Sequence, residues 1–265
     1  MSAPVKKPAN EPVSDRHEFA LYTQDLPHMP VVGRLVAFDD QALMHRLMHV
    51  LRVRSDDTVL FFDSQQVIQA SITKLDKKIL QVHVLQVTPV APLVPAIHWI
   101  LPVLEKTALE EALYALSAMG AATITLVVTD KCHKQVLAPA YCERLNRILI
   151  AACEQAKQFV LPRLVLPEKQ GAGRPSSLSR ALASASKPLL FFDCEATPAF
   201  QVMQRLVLEK PASLTCFVGP EGDFTREERE LIAAHAPYTC ALTPTVLTAW
   251  HAVIVGMGLA RSCVN

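Results

Sequence analysis

The residues of this chain best placed for chemistry form one short stretch, where an apolar run ends in Gly219, Pro220, Glu221 and Gly222. Glycine tolerates positive φ and lets a backbone approach a ligand closely, and the proline between the glycines stiffens the turn. Glu221 adds a carboxylate that could meet a substrate or could accept hydrogen bonds from the N–H groups of the turn itself. Both roles are open from the residues alone, and the pattern predicts a rigid, ligand-sized loop.

The residues around this loop predict a strand before it and a helix after it. The apolar segment 213–218 is typical of a buried strand, and Thr225 followed by Glu228 is a capping box that opens a helix over 226–235. In α/β folds, ligands bind in the crevice beyond the C-terminal ends of strands. The loop therefore lies where such a fold would hold a small molecule.

A second polar group, near the N-terminus, contains Arg46, His49, Arg52 and Arg54. It could contact the phosphates of a structured RNA, or it could be an ordinary solvated face. Four aspartates flank the group and weaken its positive field: Asp39, Asp40, Asp56 and Asp57. We favour RNA contact for this group.

Composition limits the function classes. The chain has 265 residues, 51% of them hydrophobic, and a net charge of +1, so any RNA binding must come from a local patch. No apolar run approaches the roughly 18 residues of a membrane span, so no membrane partner is expected. The seven cysteines are scattered without a CxxC pair. We therefore expect no metal site and a reducing, cytoplasmic location.

The chain divides into three parts. Residues 1–15 are polar and predict a disordered tail. Residues 16–88 contain short apolar segments typical of a small β-barrel, followed by a stiff connector containing Pro89, Pro92 and Pro95. The predicted strands of the barrel are 31–38, 58–63, 66–73 and 79–88, with one helix at about 40–52.

Residues 96–265 change to strands that alternate with helices, which predicts an α/β domain with a mostly parallel sheet. The predicted strands are 96–103, 123–129, 162–166, 188–193, 213–218 and 238–242, and the predicted helices are 105–119, 138–158, 178–185, 197–209, 226–235 and 248–262.

The order of these pieces resembles a known family. The pieces that carry the resemblance are, in order, a barrel segment from His45 to Asp57, a helix with Glu154 and Gln155, the Gly219–Gly222 loop, a short strand and a final helix. This arrangement is similar to that of the SPOUT-class methyltransferases that modify N3 of a uridine in small-subunit ribosomal RNA. The resemblance implies a PUA-like barrel and a SPOUT α/β domain with a trefoil knot. It also implies S-adenosylmethionine as cofactor, ribosomal RNA or the small ribosomal subunit as partner, and a homodimer.

The resemblance also assigns candidate residues. It implies Glu221 and His251 as catalytic residues. The implied cofactor-binding residues are Phe192, Val218, Gly219, Pro220, Glu221, Gly222, Leu242, Thr243, Val246 and Leu247, and the implied RNA-binding residues are Arg46, His49, Arg52, Arg54, Glu154 and Gln155.

The chain departs from the family pattern at the site itself. Asp223 stands where the family has a glycine, and Thr245 and Thr248 stand where it has arginines. Arginine can stabilise negative charge that develops on a uridine losing its N3 proton, and threonine cannot.

Trp250 and His251 replace a glutamate and a threonine of the family pattern. His251 could act as a base near neutral pH, or it could be a repacked interface histidine. Two functions therefore stay open: an active RNA methyltransferase, and a catalytically silent or repurposed homologue that binds RNA or S-adenosylmethionine.

Overall fold

The computed structural model describes residues 18–24, 26, 30–132, 136–167, 176–235 and 237–264. The predicted tail 1–15 lies outside these residues. Within them, no helix combines the length and apolar character needed to cross a bilayer.

The N-terminal part is a mixed five-stranded sheet in the place predicted for the barrel. Its strands are β1 (Phe19–Tyr22), β2 (Leu35–Phe38), β3 (Thr58–Phe62), β4 (Gln66–Leu75) and β5 (Leu80–Pro89), in the order β1-β3-β4-β5-β2. β1 and β3 are parallel, and the other pairs are antiparallel. Side chains of β4 alternate between buried and less buried positions, as a sheet with one packed face requires.

The helix between β2 and β3 is short and irregular. α1 (Gln41–His45) begins at Asp40, whose carboxylate accepts hydrogen bonds from the N–H groups of Ala42 and Leu43 at 2.8 and 3.0 Å. The chain continues as a π-helical segment, Arg46–Leu51, and ends at Arg52 with φ of 52°. The sequence predicted one helix over this region and missed the change of pitch.

The C-terminal part is a six-stranded, all-parallel sheet in the order β11-β9-β10-β6-β7-β8. The strands are β6 (Ala96–Pro102), β7 (Thr123–Val127), β8 (Arg163–Val165), β9 (Leu189–Pro198), β10 (Ser213–Val218) and β11 (Tyr238–Ala241). The helices are α2 (Lys106–Ala118), α3 (Pro139–Ala156), α4 (Ser177–Ala183), α5 (Ala199–Glu209), α6 (Arg226–Ala234) and α7 (Ala249–Val264).

Helices cover both faces of this sheet, as the alternating pattern predicts. One face, which includes Trp99, packs against α2, α3, α5 and α7, and the other, which includes Phe217, packs against α4 and α6. The Trp99 indole Nε1 lies 3.3 Å from the Met257 sulfur, which fixes α7 on the sheet. The passage of the chain through a trefoil knot stays a prediction from the resemblance.

Strand β9 contains a wide bulge close to the candidate functional site. Its pairing with β11 jumps from Phe191–Thr239 directly to Thr197–Cys240. Residues 192–196 therefore leave the ladder with β11, although Phe192 still pairs with Val218 of β10.

The two sheets are joined through α3. Phe62 of β3 packs edge-on against Phe159, with ring centroids 5.4 Å apart. Beside this contact the buried Glu154 carboxylate accepts a hydrogen bond from the Tyr22 N–H at 2.9 Å and forms a bidentate ion pair with Arg46. These contacts fix the N-terminal sheet against the parallel sheet.

Candidate functional site

A cavity of ≈ 530 Å³ lies beyond the C-terminal ends of β9 and β10, at the edge of the sheet where the sequence predicted a ligand. Three chain segments form most of it, namely the end of β9 with its bulge, the loop after β10 and the segment between β11 and α7, and residues of α6 and α7 complete the lining. The lining residues are Phe191, Phe192, Asp193, Cys194, Glu195, Val218, Gly219, Pro220, Glu221, Asp223, Arg229, Leu242, Thr243, Thr245, Val246, Leu247, Thr248, Ala249 and Ala252.

The cavity brings together all of the predicted cofactor residues except Gly222. They come from three separate stretches of chain: Phe192, then Val218–Glu221, then Leu242–Leu247. Gly222 instead faces Lys131, because a Cβ added at Gly222 would lie 3.2 Å from the Lys131 Cβ. The structure thus assembles one site from these residues, while their contacts with a ligand stay predictions.

The turn after Pro220 is shaped by Asp223. Its N–H donates to the Pro220 carbonyl at 3.0 Å, and its φ is 59°, in the left-handed region that favours glycine. Aspartate tolerates this region better than most residues because its side chain can hydrogen-bond locally. Here the Asp223 carboxylate accepts the Phe224 N–H at 2.7 Å. The aspartate therefore keeps the backbone shape that a glycine would allow at this position.

Arg229 of α6 connects two acidic residues at the cavity wall. Its Nη2 donates to both Asp223 oxygens at 2.8 and 2.9 Å, and its Nη1 donates to Asp193 Oδ2 at 3.1 Å. Partial burial raises the pKa of Asp223, but the hydrogen bonds from Arg229 and from the Phe224 N–H outweigh it, so the net pKa lies below the ordinary value. Asp223 is therefore ionised at neutral pH.

Glu221 is an exposed residue whose Oε1 accepts a hydrogen bond from the Glu105 N–H at 3.3 Å. Glu105 is the N-cap of α2, and its own carboxylate accepts the Thr107 N–H at 3.0 Å. The Glu221 carboxylate thus ties the loop after β10 to the start of α2 and also lines the cavity. The hydrogen bond thus comes from α2 rather than from an N–H group of the turn itself, and contact of Glu221 with a substrate stays a prediction.

His251 lies on the exposed side of α7, beside the cavity. Among the described residues, Thr248 and Ala249 line the cavity, and neither Trp250 nor His251 does. The His251 Nδ1 lies 2.7 Å from Thr248 Oγ1, so that hydroxyl connects the imidazole to the cavity. The Trp250 ring stacks on His251 and packs partly against the core, and it leaves the cavity open.

The electrostatic character of the cavity was not visible in the sequence. Four carboxylates line it, from Asp193, Glu195, Glu221 and Asp223, and Arg229 is the one cationic side chain among its described lining residues. Asp193 and Glu195 were missed because they belong to the β9 bulge, although a carboxylate at the end of an apolar run could have signalled them. Thr245 and Thr248, where the resemblance leads us to expect arginines, also line the cavity.

The predicted RNA-binding residues fall into two groups. Arg46 and Glu154 lie together in the ion pair between the two sheets, so neither presents an uncompensated charge. His49, Arg52, Arg54 and Gln155 are exposed. His49 packs against His45, with ring centroids 4.8 Å apart. RNA contact by these residues stays a prediction, which now rests on the exposed group.

Within the described ranges, no group of three or more His, Cys, Asp or Glu side chains is arranged to hold a metal ion.

A family model described as an RNA methyltransferase domain matches residues 92–261. Comparison with curated proteins finds no match. The structure resembles a Legionella pneumophila protein solved with S-adenosylmethionine as its bound cofactor, with a TM-score of 0.77 and 21% identity over 93% of this chain and 98% of that chain.

It also resembles ribosomal RNA small subunit methyltransferase E from Neisseria gonorrhoeae, solved with S-adenosylmethionine bound. Here the TM-score is 0.74 and the identity 20%, over 93% of this chain and 98% of that chain. Together these likenesses confirm the predicted two-part fold, a mixed N-terminal sheet followed by a parallel α/β part.

Proposed function

Because this chain belongs to the RNA methyltransferase domain family, we propose that it transfers a methyl group from S-adenosylmethionine to RNA, at N3 of a uridine in small-subunit ribosomal RNA. The observation that carries the proposal is the assembly of one cavity, at the C-terminal edge of the parallel sheet, from three separate stretches of chain. A ribosomal RNA substrate accords with a cytoplasmic location.

The residues of the cavity fit S-adenosylmethionine in size and chemistry. A volume of ≈ 530 Å³ is in the range of small-molecule sites. Val218, Leu242 and Leu247 offer apolar contacts for an adenine ring, and the carboxylates of Asp193 and Glu195 offer partners for a cationic group. The cofactor, when bound, supplies an electrophilic methyl group on a positively charged sulfur.

A uridine must lose its N3 proton as the methyl group arrives, and this chain offers a route for that proton. Thr248 Oγ1 lines the cavity and shares a hydrogen bond with His251 Nδ1. In the proposed step Thr248 accepts the N3 proton while its own hydroxyl proton passes to Nδ1 of His251. Glu221 orders the loop through its bond to the Glu105 N–H.

A second copy of the chain is the proposed partner in the assembly. Leu208 of α5 and Val246 of the cavity wall are the most exposed large hydrophobic side chains among the described residues, at 83% and 81%. Burial of both in a homodimer would remove this apolar surface from water. Sedimentation analysis of the full chain would show a dimer, and a monomer at all concentrations would exclude this arrangement.

The second candidate is a homologue that binds S-adenosylmethionine or RNA without family chemistry. The observation in its favour is that Thr245 and Thr248 line the cavity, where a cation is expected. The double variant Thr245→Arg/Thr248→Arg tests it. If the chain is silent for lack of these cations, the double variant should gain methyl transfer that the parent lacks. If the chain is active through Thr248 and His251, the double variant should lose activity.

Calorimetric titration with S-adenosylmethionine tests the cofactor assignment directly. We expect saturable binding with one site per chain. Absence of binding by the folded protein would reject the cofactor assignment and, with it, the proposed reaction.

A further inference from the structure

Gly256 lies inside α7 and is one of two glycines in that helix, the other being Gly258. Glycine makes a helix interior less stable than alanine does, because it has more backbone freedom to lose on folding. Gly256 is buried, on the same side of α7 as Val253 and Met257, which belong to the core. A glycine at such a position allows another group to come close to the helix backbone.

The group that comes close to Gly256 is the ring of Phe192. A Cβ added at Gly256 would lie 2.6 Å from Cε2, 3.0 Å from Cδ2 and 3.1 Å from Cζ of that ring, and these are its three nearest neighbours outside the helix backbone. Carbon atoms in contact are about 3.5–4.0 Å apart. A methyl group at position 256 is therefore incompatible with the present position of the ring. A Cβ added at Gly258 meets nothing within 4 Å.

Phe192 connects Gly256 to the cavity. Its side chain is buried and lines the cavity at the end of β9. One side of the ring lies against Gly256, and the ring centroid lies 5.9 Å from that of Trp99, which has no exposed surface. The helix and Trp99 thus fill two sides of the ring, and the cavity is the open space beside it.

The helix that faces Phe192 is held in place at two points. The sulfur of Met257 lies 3.3 Å from the Trp99 Nε1. One turn further along α7, the Arg261 guanidinium donates hydrogen bonds to the carbonyl oxygens of Pro95 and Gly120, at 2.9 and 2.7 Å. Because these contacts fix α7, a side chain added at position 256 would move the ring rather than the helix.

We propose that Gly256 is a positioning residue for the cavity, which acts through Phe192. Its lack of a side chain lets the ring lie back against α7, and the space that the ring leaves free belongs to the cavity. A side chain at position 256 would move the ring by about 1 Å into the cavity, because β9 is held between β10 and β11. The proposal rests on the proposed function only in taking S-adenosylmethionine as the ligand.

The first test is structural and needs no ligand. Crystal structures of Gly256→Ala and Gly258→Ala compare the same substitution at two positions of one helix. We expect the Phe192 ring to move into the cavity by about 1 Å in Gly256→Ala and to stay in place in Gly258→Ala. An unmoved ring, or a displaced α7 with an unchanged cavity, would overturn the proposal. Failure of Gly256→Ala to fold would mean that the ring cannot move into the cavity, and would also overturn it.

The second test is calorimetric titration with S-adenosylmethionine. Overpacking a fixed site is costly, so Gly256→Ala should weaken binding about tenfold, and Gly258→Ala should leave it unchanged. Phe192→Val lacks the three ring atoms nearest to position 256. In that background Gly256→Ala should therefore not weaken binding further, whereas a general loss of stability would add in both backgrounds.

The outcomes of the titration separate this proposal from the proposed function. Parent-like affinity of Gly256→Ala, or equal losses with Phe192 and with Phe192→Val, would overturn the role assigned to Gly256. If the parent chain itself does not bind S-adenosylmethionine, the proposed function fails, and the crystal structures still decide whether Gly256 positions the ring.

Discussion

Arg46 and Glu154 form a bidentate ion pair that joins the π-helical segment after α1 to α3. The Arg46 Nη1–Glu154 Oε1 distance is 2.8 Å, and the Glu154 side chain is 5% exposed while that of Arg46 is 40% exposed. Glu154 also accepts the Tyr22 N–H. The Glu154 carboxylate on α3 thus holds both β1 and the π-helical segment of the N-terminal part. This contact fixes the position of any RNA-binding surface on the N-terminal part relative to the cavity.

Replacing Glu154 should destabilise the protein. Glu154→Gln removes the charge that compensates Arg46 while keeping the size of the side chain. We expect a loss of about 2 kcal/mol in the free energy of unfolding, less than for a fully buried pair because Arg46 is partly solvated. Urea denaturation measures it, with Gln155→Ala on the exposed side of α3 as control. Equal stability of the two variants would contradict the role assigned to this ion pair.

The carboxylate of Asp223 should make stability depend on acid pH. Its folded-state pKa lies below the ordinary value because its hydrogen bonds, led by those from Arg229, outweigh the effect of burial. A lowered folded pKa contributes stability above the unfolded pKa, and this contribution is lost as the pH falls through the folded pKa.

Asp223→Asn tests this effect while keeping a residue that tolerates positive φ. The parent chain should be more stable than the variant at pH 5 to 7, and the difference should shrink as the pH falls below about 3.9. Unfolding free energies measured across this range would show it. A difference that does not change with pH would mean that the charge of Asp223 is unimportant.

Gly219 should control access to the cavity. A Cβ at this position would lie 3.4 Å from the Phe224 ring, an ordinary contact, so a small side chain fits the fold but takes space from the cavity. We expect Gly219→Val to weaken S-adenosylmethionine binding at least about tenfold, or about 1.4 kcal/mol.

Gly258→Ala provides the control for Gly219→Val, because Gly258 has open space around its added Cβ and lies within α7. It should leave the affinity unchanged. Calorimetry on both variants, with circular dichroism to verify folding, makes the comparison. Parent-like affinity of Gly219→Val would place the cofactor elsewhere.

Thr248 and His251 should act together in the methyl-transfer step. Thr248→Val removes the hydroxyl between the cavity and the imidazole, and His251→Gln removes the proton acceptor. Each should lower the single-turnover rate by about 10²-fold, and the double variant should be no worse than either single variant, because the two residues serve one proton path. His235→Gln is the control, because His235 is a histidine at the C-terminal end of α6. Rates equal to the parent's would show that the proton leaves by another route.

Local patterns predicted much of this architecture. The capping box at Thr225 and Glu228 is present, with the Thr225 N–H donating to the Glu228 carboxylate at 2.9 Å. The β10 strand ends where the apolar run ends. These features depend on neighbouring residues, which a sequence displays directly.

The features that the sequence did not predict depend on contacts between distant residues. Strand β1 is four residues long and pairs with β3 across more than thirty positions of chain. The β9 bulge, which brings Asp193 to the cavity, is set by its pairing with β11. Glu154 was predicted to contact RNA beside Gln155, whereas its carboxylate is buried against Arg46 and the Tyr22 N–H, both far away along the chain.

The most direct test of the proposed function is transfer of a labelled methyl group from S-adenosylmethionine to small ribosomal subunits that lack uridine N3 methylation. With the parent chain we predict label in the RNA, located at N3 of a uridine by nucleoside analysis, and little label with Gly219→Val. If the parent chain is saturated with S-adenosylmethionine by calorimetry and the RNA still carries no label, the proposed methyltransferase activity is contradicted and the silent homologue is the better account.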